Sequence, residues 1–282
     1  MVRLLKYDNF SQFKEEVISY LEQDEVVNNL PLGVLQSAVK TPLLMAVVQK
    51  DEENVLAMIQ TKPDKIILSK AASFSPDELR LIAEQMHHEF ESIPGLIGDT
   101  KLMVELSGYL SELRDVIATV EMNQGIYKLE KVKKKIGSNG KLRALTEQEH
   151  VLVEEWVYQF CQDVNLPITM DEADTKAYEL IRKGTLMGWE IEGEIVSLAN
   201  ATRPTKRNIT INFVYTPTKH RKKGFASDCV AALSQMMLDQ GYQTTSLYTD
   251  LSNPTSNKIY QEIGYEQVAD SVVIALGRKP CS

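Results

Sequence analysis

Arg221-Lys222-Lys223-Gly224-Phe225-Ala226 places three cations beside a glycine and an alanine, directly before a helical pattern. That combination suits an anion. The first turn of a helix has backbone N–H groups with no internal partner and lies at the positive end of the macrodipole, so it attracts phosphate oxygens. Gly224 and Ala226 keep side chains small, letting a pyrophosphate approach the backbone, while Arg221, Lys222 and Lys223 add charge. The stretch is not a Walker loop, because Gly-x-x-x-x-Gly-Lys-Ser/Thr is missing, and it is not the Gly-x-Gly-x-x-Gly dinucleotide turn.

Two elements must position this loop. Before it, Ile209, Ile211, Phe213 and Tyr215 alternate, which reads as a half-buried strand with these four on one face. After it, Phe225, Cys229, Val230, Leu233, Met236 and Met237 recur at helical spacing, and Gly241 stands where a helix C′ glycine belongs. Another strand is expected over 244–249. Then comes Asn253-Pro254-Thr255-Ser256-Asn257-Lys258-Ile259-Tyr260-Gln261-Glu262-Ile263-Gly264-Tyr265. Asn253, Asn257 and Tyr260 share one helical stripe, while Ile259 and Ile263 point to a neighbouring one that faces the core.

Arg221-x-x-Gly224-x-Ala226 after a strand ending Val214-Tyr215-Thr216-Pro217 resembles the acetyl-CoA loop of the GNAT (Gcn5-related) N-acetyltransferases. The segment from Asn253 to Tyr265 resembles the second block of the same family, in the right order. The resemblance implies an acyl-CoA N-acyltransferase fold, a mixed and mostly antiparallel sheet flanked by helices. It also implies acetyl-CoA as cosubstrate and direct transfer of its acetyl group to an amine, without an acyl-enzyme. Carried over, Val214 would supply a backbone oxyanion donor, and Tyr260 the proton for the departing thiolate. Val214, Tyr215, Thr216, Arg221, Lys222, Lys223, Gly224, Phe225, Ala226, Ser227, Asn253, Asn257 and Tyr260 would hold the cosubstrate. Lys222 departs from a place that is often Gly, and Ala226 from one that is more often a second Gly.

Plainer readings stand beside these. Asn253 is equally an N-cap with Pro254 at N1, and Tyr260 could be a packing tyrosine whose hydroxyl finds any nearby acceptor. Glu192 and Glu194, in a hairpin, lie near the place of a family base, but turn carboxylates are ordinarily solvated, so the base is unassigned. Glu84, His87, His88 and Glu91 sit a helical turn apart without a third cluster to complete a metal shell, so a polar helix surface is expected and no metal. Cys161, Cys229 and Cys281 have no metal spacing and read as free thiols, Cys229 on the apolar stripe of its helix.

The first half repeats the pattern more faintly. Residues 43–59 read as a hairpin with a polar turn, 65–68 as a short strand, and Ser75-Pro76-Asp77-Glu78 opens a helix. Residues 189–199 form a second hairpin signal, turning at Glu192-Gly193. Helices are expected over 9–24, 149–164 and 171–183. The expected division is a diverged GNAT-like domain over 1–129, an exposed basic linker over 130–141, and the GNAT domain over 142–282. The first half has Ala71-Ala72-Ser73-Phe74-Ser75-Pro76 in place of the basic loop, so its copy is expected to have lost the cosubstrate.

Composition narrows the class. The chain has 282 residues, 43% hydrophobic and 25% charged, with formal charge −8. Such acidity argues against a general nucleic-acid binder, which needs a basic footprint. No apolar run is long enough to cross a bilayer, and the N-terminus lacks a signal-peptide core, so a cytoplasmic protein is expected. Its partners would be acetyl-CoA and an amine-bearing small molecule or peptide, with monomer and homodimer both open. Two other readings stay open: a non-catalytic acyl-CoA-binding or sensing protein, and an interaction protein docking through its first half.

Overall fold

Residues 44–48 and 55–59 are two unbroken apolar runs separated by the polar stretch 49–54, a composition that suits strands buried on both faces. They form β2 (Leu44–Lys50) and β3 (Glu53–Gln60), joined by a two-residue turn with φ of +52° and +71° at Asp51 and Glu52. Two positive φ values in a row make a type I′ turn, whose twist matches that of the strands. Ala46, Val48, Leu56 and Met58 enter one core, and Met45, Val47, Ala57 and Ile59 enter another.

The computed structural model describes residues 1–37, 41–137 and 139–278, and Cys281 lies outside them. The chain divides into two compact units. The first holds Met1–Tyr127, Tyr248–Pro254 and the residues from Gln267 onward; the second holds Lys128–Leu247 and Thr255–Glu266.

The first unit begins β1 (Val2–Lys6), α1 (Phe10–Leu21), α2 (Asn29–Ser37), then β2 and β3. It continues β4 (Ile66–Leu68), α3 (Pro76–Glu89), β5 (Gly95–Asp99), α4 (Thr100–Arg114) and β6 (Val116–Leu129), which runs on to the unit boundary. β1 to β4 pair antiparallel in sequence, and β4 pairs parallel with β5. Phe13, Val17 and Leu21 of α1 pack on one face, and Leu79, Ile82, Met86, Leu102, Leu106 and Leu110 of α3 and α4 on the other.

The second unit repeats that order: β7 (Lys141–Ala144), α5 (His150–Asp163), α6 (Met170–Arg182), β8 (Leu186–Ile191) and β9 (Glu194–Thr202). β10 (Asn208–Tyr215), α7 (Phe225–Asp239), β11 (Thr244–Asp250) and α8 (Pro254–Ile263) follow, although the chain from Tyr248 to Pro254 belongs with the first unit. Again three antiparallel pairings are followed by one parallel pairing, β10 with β11. The last strand, β12 (Glu266–Arg278), pairs antiparallel with β5, Ser271 opposite Asp99 and Ala275 opposite Gly95. The compact units therefore differ from a division at 142–282, because the chain from Gln267 onward belongs with the first unit.

The stretch expected to be an exposed linker is also different. Its described residues form no helix or strand between β6 and β7, yet Lys133 and Lys134 donate from their backbones to the Ile263 carbonyl at 2.8 and 3.4 Å. No helix among the described residues is long and apolar enough to cross a membrane.

Candidate active site

Every residue of β10 from Asn208 to Ile211 is buried, so this strand is covered on both faces rather than half-buried. Its expected alternation holds for Ile209 and Ile211 and then breaks. Asn212 lies opposite Asn200 and Tyr215 opposite Leu198, so Phe213 and Val214 together face the single residue Ala199 of β9. This is a β-bulge, which turns the strand end away from its neighbour. Phe213 has φ +48°, a conformation that is costly for a bulky residue and persists where packing imposes it.

The packing is aromatic. Phe160 of α5 meets Phe213 with ring centroids 4.8 Å apart, and Trp156 meets Tyr215 at 5.7 Å. The Tyr215 hydroxyl donates to Gln159 Oε1 at 2.6 Å, and the Ser197 hydroxyl donates to the Tyr215 carbonyl at 3.1 Å. Burial, with the Asp163 charge beside it, raises the Tyr215 pKa. Val214, the expected oxyanion donor, is partly buried at this bulge.

The basic loop follows. Arg221 does not stand free for a phosphate: its Nε donates to the Thr216 carbonyl at 2.8 Å, and its guanidinium pairs with Asp163 and covers the Tyr215 ring. Its contribution here is the shape of the loop. Glu194 lies 2.8 Å from Lys219 Nζ and 3.1 Å from His220 Nε2. Hydrogen bonding to Lys219, then to His220, holds the Glu194 carboxyl below its usual range, so this carboxylate anchors the loop. Glu192 lies in the β8–β9 turn with φ +50°.

Lys222 and Lys223 are exposed, and Lys222 has φ +63°. The resemblance commonly places Gly at that position, where the left-handed backbone is free of Cβ strain. Gly224 begins α7 with φ +84°; no side chain caps the helix, and a Cβ at Gly224 would meet nothing within 4 Å. The first-turn Ser227 is 6% exposed, and its hydroxyl has no hydrogen-bond partner. An uncapped N-terminus with an orphaned hydroxyl and two exposed lysines fits a phosphate group. Cys229 is fully buried, with its thiol pushed up to about 12 by burial, as expected of a core residue.

Asn253 is exposed just before α8, whereas Asn257 and Tyr260 are partly buried on it. Desolvation, then the neighbouring Tyr265, raises the Tyr260 pKa. The two rings lie 6.1 Å apart, and the Tyr265 hydroxyl is hydrogen-bonded at 2.8 Å to both Ser234 and Thr245.

The matching helix start in the first unit is closed. Ser75 caps α3, accepting from Glu78 N–H at 3.2 Å while the Glu78 carboxylate accepts from Ser75 N–H at 2.8 Å. Lys50 pairs with Glu78 at 2.6 Å. Pro76 removes another donor, and Asp77 adds a second acid. The sequence reading missed one cluster: His150, Glu154 and Asp174 bring ligand-type atoms within 4.8 Å of one another, with His150 hydrogen-bonded to Asp174 at 2.7 Å.

Residues 151–265 match the family model described as the acetyltransferase (GNAT) family. Among curated proteins none matches the chain by sequence. A GNAT-family acetyltransferase from Colwellia psychrerythraea is similar in structure, with TM-score 0.63, 12% identity and coverage of 98% of this chain and 100% of that one. A GCN5-related N-acetyltransferase from Sphaerobacter thermophilus gives 0.62 at 12% identity, covering 100% and 97%. A tandem GNAT protein from the clavulanic acid biosynthesis pathway gives 0.58 at 11%, covering both chains fully. The chain has the GNAT fold, and the stretch that the acetyltransferase (GNAT) family model matches, residues 151–265, carries the bulged strand, the basic loop and Tyr260.

Proposed function

We propose that the second unit is an acetyl-CoA-dependent N-acetyltransferase that moves an acetyl group directly to an amine of a small molecule or peptide. The first unit is then a diverged copy that binds no cosubstrate. The observation that carries this reading is the contrast between two equivalent helix starts: α7 begins at an uncapped glycine, whereas α3 is capped by its own Ser75 and Glu78.

Acetyl-CoA, when bound, supplies the activated thioester. Lys222, Lys223 and the first-turn N–H groups of Phe225, Ala226 and Ser227 hold its pyrophosphate, with Gly224 leaving the approach open. Tyr215, Thr216 and Asn257 line the remaining contacts, and the Val214 N–H donates to the developing oxyanion. A nitrogen–carbon bond forms as the carbon–sulfur bond breaks, and the sulfur takes a proton.

Tyr260 is the donor for that sulfur. Its raised pKa keeps the phenol protonated at neutral pH. A general acid transfers its proton best when its pKa is near ambient pH, so Tyr260 acts chiefly by donating a hydrogen bond as thiolate charge develops. Glu194 is committed to Lys219 and His220, which leaves the amine's proton acceptor outside this set.

Isothermal titration of acetyl-CoA into wild type and Gly224→Glu, followed by thiol release over an amine panel with Tyr260→Phe, tests the reading. Binding should be lost in the glutamate variant, and turnover should fall in Tyr260→Phe while binding persists. Absence of binding to wild type would sink it. Binding without thiol release for any amine would make the chain an acyl-CoA-binding protein instead.

A further inference from the structure

Lys134 touches two helices of the second unit at once. Its backbone N–H donates to the Ile263 carbonyl at the C-terminal end of α8, and its Nζ lies 2.8 Å from Asp228 Oδ1 in the first turn of α7. The Gly137 N–H donates to the same oxygen at 3.2 Å. The strap is fitted closely at both ends. A Cβ on Gly137 would lie 2.8 Å from Asp228 Oδ2, and one on Gly264 would lie 3.0 Å from the Lys131 carbonyl.

Asp228 is an awkward neighbour for an anion. Only 8% of it is exposed, and it stands one residue after the orphaned Ser227 hydroxyl at the helix end proposed to hold a pyrophosphate. A first-turn carboxylate is attracted to the positive end of the macrodipole, and it therefore takes up the potential that a bound phosphate would use. Little water reaches the carboxylate to screen it, so repulsion between the two anions is stronger than at an open surface.

We propose that Lys134 is a positioning residue for the acyl-CoA site. By neutralising Asp228 it leaves the α7 N-terminus free to take phosphate oxygens, and it does so from a strap hooked onto α8, the helix that carries Tyr260. This rests on the acyl-CoA reading of the second unit. It gives the basic stretch between β6 and β7 a task in cosubstrate affinity that a solvated linker would not have.

The test is calorimetry of CoA into the full-length wild type, Lys134→Met, Asp228→Asn and the double variant, each with a thermal melt. Lys134→Met should weaken CoA binding by about tenfold, the upper range for a charge at a helix terminus. The double variant should recover wild-type affinity to within about twofold, because the uncompensated carboxylate is gone. Asp228→Asn alone, which removes the carboxylate and leaves the Lys134 charge, should bind more tightly than wild type, a result that stands even if Lys134→Met does not fold. A bridge that only stabilises the fold would lower melting temperature in both single variants and leave CoA affinity unchanged, which would overturn the assignment. If wild type binds CoA and all variants bind equally, only the role of Lys134 falls. If wild type binds no CoA, the acyl-CoA reading falls and takes this role with it.

Discussion

The Tyr215 hydroxyl and the Gln159 side chain, one at the end of β10 and the other on α5, are joined by a 2.6 Å hydrogen bond in which the phenol donates. Gln159 is itself held, its Nε2 donating to Glu155 Oε1 at 2.8 Å. The bond fixes the ring that sits at the bulge. Gln159→Leu leaves a buried phenol unpaired, which costs about 1–3 kcal/mol, whereas Tyr215→Phe removes the donor itself and costs about 1 kcal/mol. Chemical denaturation should rank the two variants in that order. If the bulge positions acetyl-CoA, Gln159→Leu should also raise its dissociation constant in calorimetry.

Lys222 and Gly224 bracket Lys223 with left-handed backbones, φ +63° and +84°. An alanine at Gly224 meets no atom, so its penalty is conformational alone, about 1–2 kcal/mol. At Lys222 the same penalty is already present. Lys222→Gly relieves it against a loss of about 0.5–1 kcal/mol in chain entropy. Denaturation should show Gly224→Ala clearly destabilised and Lys222→Gly unchanged or slightly more stable. The reverse order would mean that the loop backbone differs from this one.

The basic loop and α8 were legible because local rules act there without competition. Gly241 closes α7 as its spacing implies: Tyr242 N–H bonds to the Met237 carbonyl and Gly241 N–H to Leu238, the Schellman pattern. The hairpins were readable from their polar turns. α2 was hidden by Pro31 and Gly33, which break the expected composition of a helix. α4 and β6 went unread, and β6 is exposed from Ile117 to Glu121, so its first half lacks the apolar alternation that marks a half-buried strand. The bulge at Phe213 escaped for a different reason. Period-two alternation assumes an unbroken ladder, and here the register slips only because α5 supplies Phe160 and Trp156 as tertiary partners. The partner of Arg221 is hidden for the same reason, since Asp163 is distant in sequence and the ion pair exists only in the fold.

Glu194 makes the loop anchor sensitive to acid. Its folded pKa is lowered, chiefly by Lys219, so its contribution is present above the unfolded carboxyl value of about 4.3 and is lost as pH falls through the folded value. Glu194→Gln should therefore melt below wild type at pH 7, and the gap should close under acid conditions below about pH 4. A gap that persisted at low pH would show that packing, not charge, explains the difference.

Tyr260 sets the opposite limit. With its pKa raised by desolvation, the phenol stays protonated beyond the ordinary tyrosine value of about 10. The turnover profile should show no descending limb from this group between pH 7 and 10. Tyr260→Phe should lower kcat by roughly 10–10²-fold, the worth of one hydrogen bond to a charged group, about 1.5–3 kcal/mol, with little change in acetyl-CoA affinity. A limb near pH 8 that vanished in Tyr260→Phe would require a phenol far more acidic than its surroundings allow.

Closure of the first unit's equivalent site is also measurable. Ser75 and Glu78 already satisfy donors that an anion would need, and Asp77 and Glu78 place negative charge where a phosphate would sit. Titration should give one CoA per chain. Ser75→Ala should cost about 1 kcal/mol in stability and leave that stoichiometry unchanged, because both acids and Pro76 remain. A second equivalent of CoA in either protein would mean that the acidic helix start accepts an anion after all. The contrast between α3 and α7 would then no longer explain why one unit of the pair carries the chemistry.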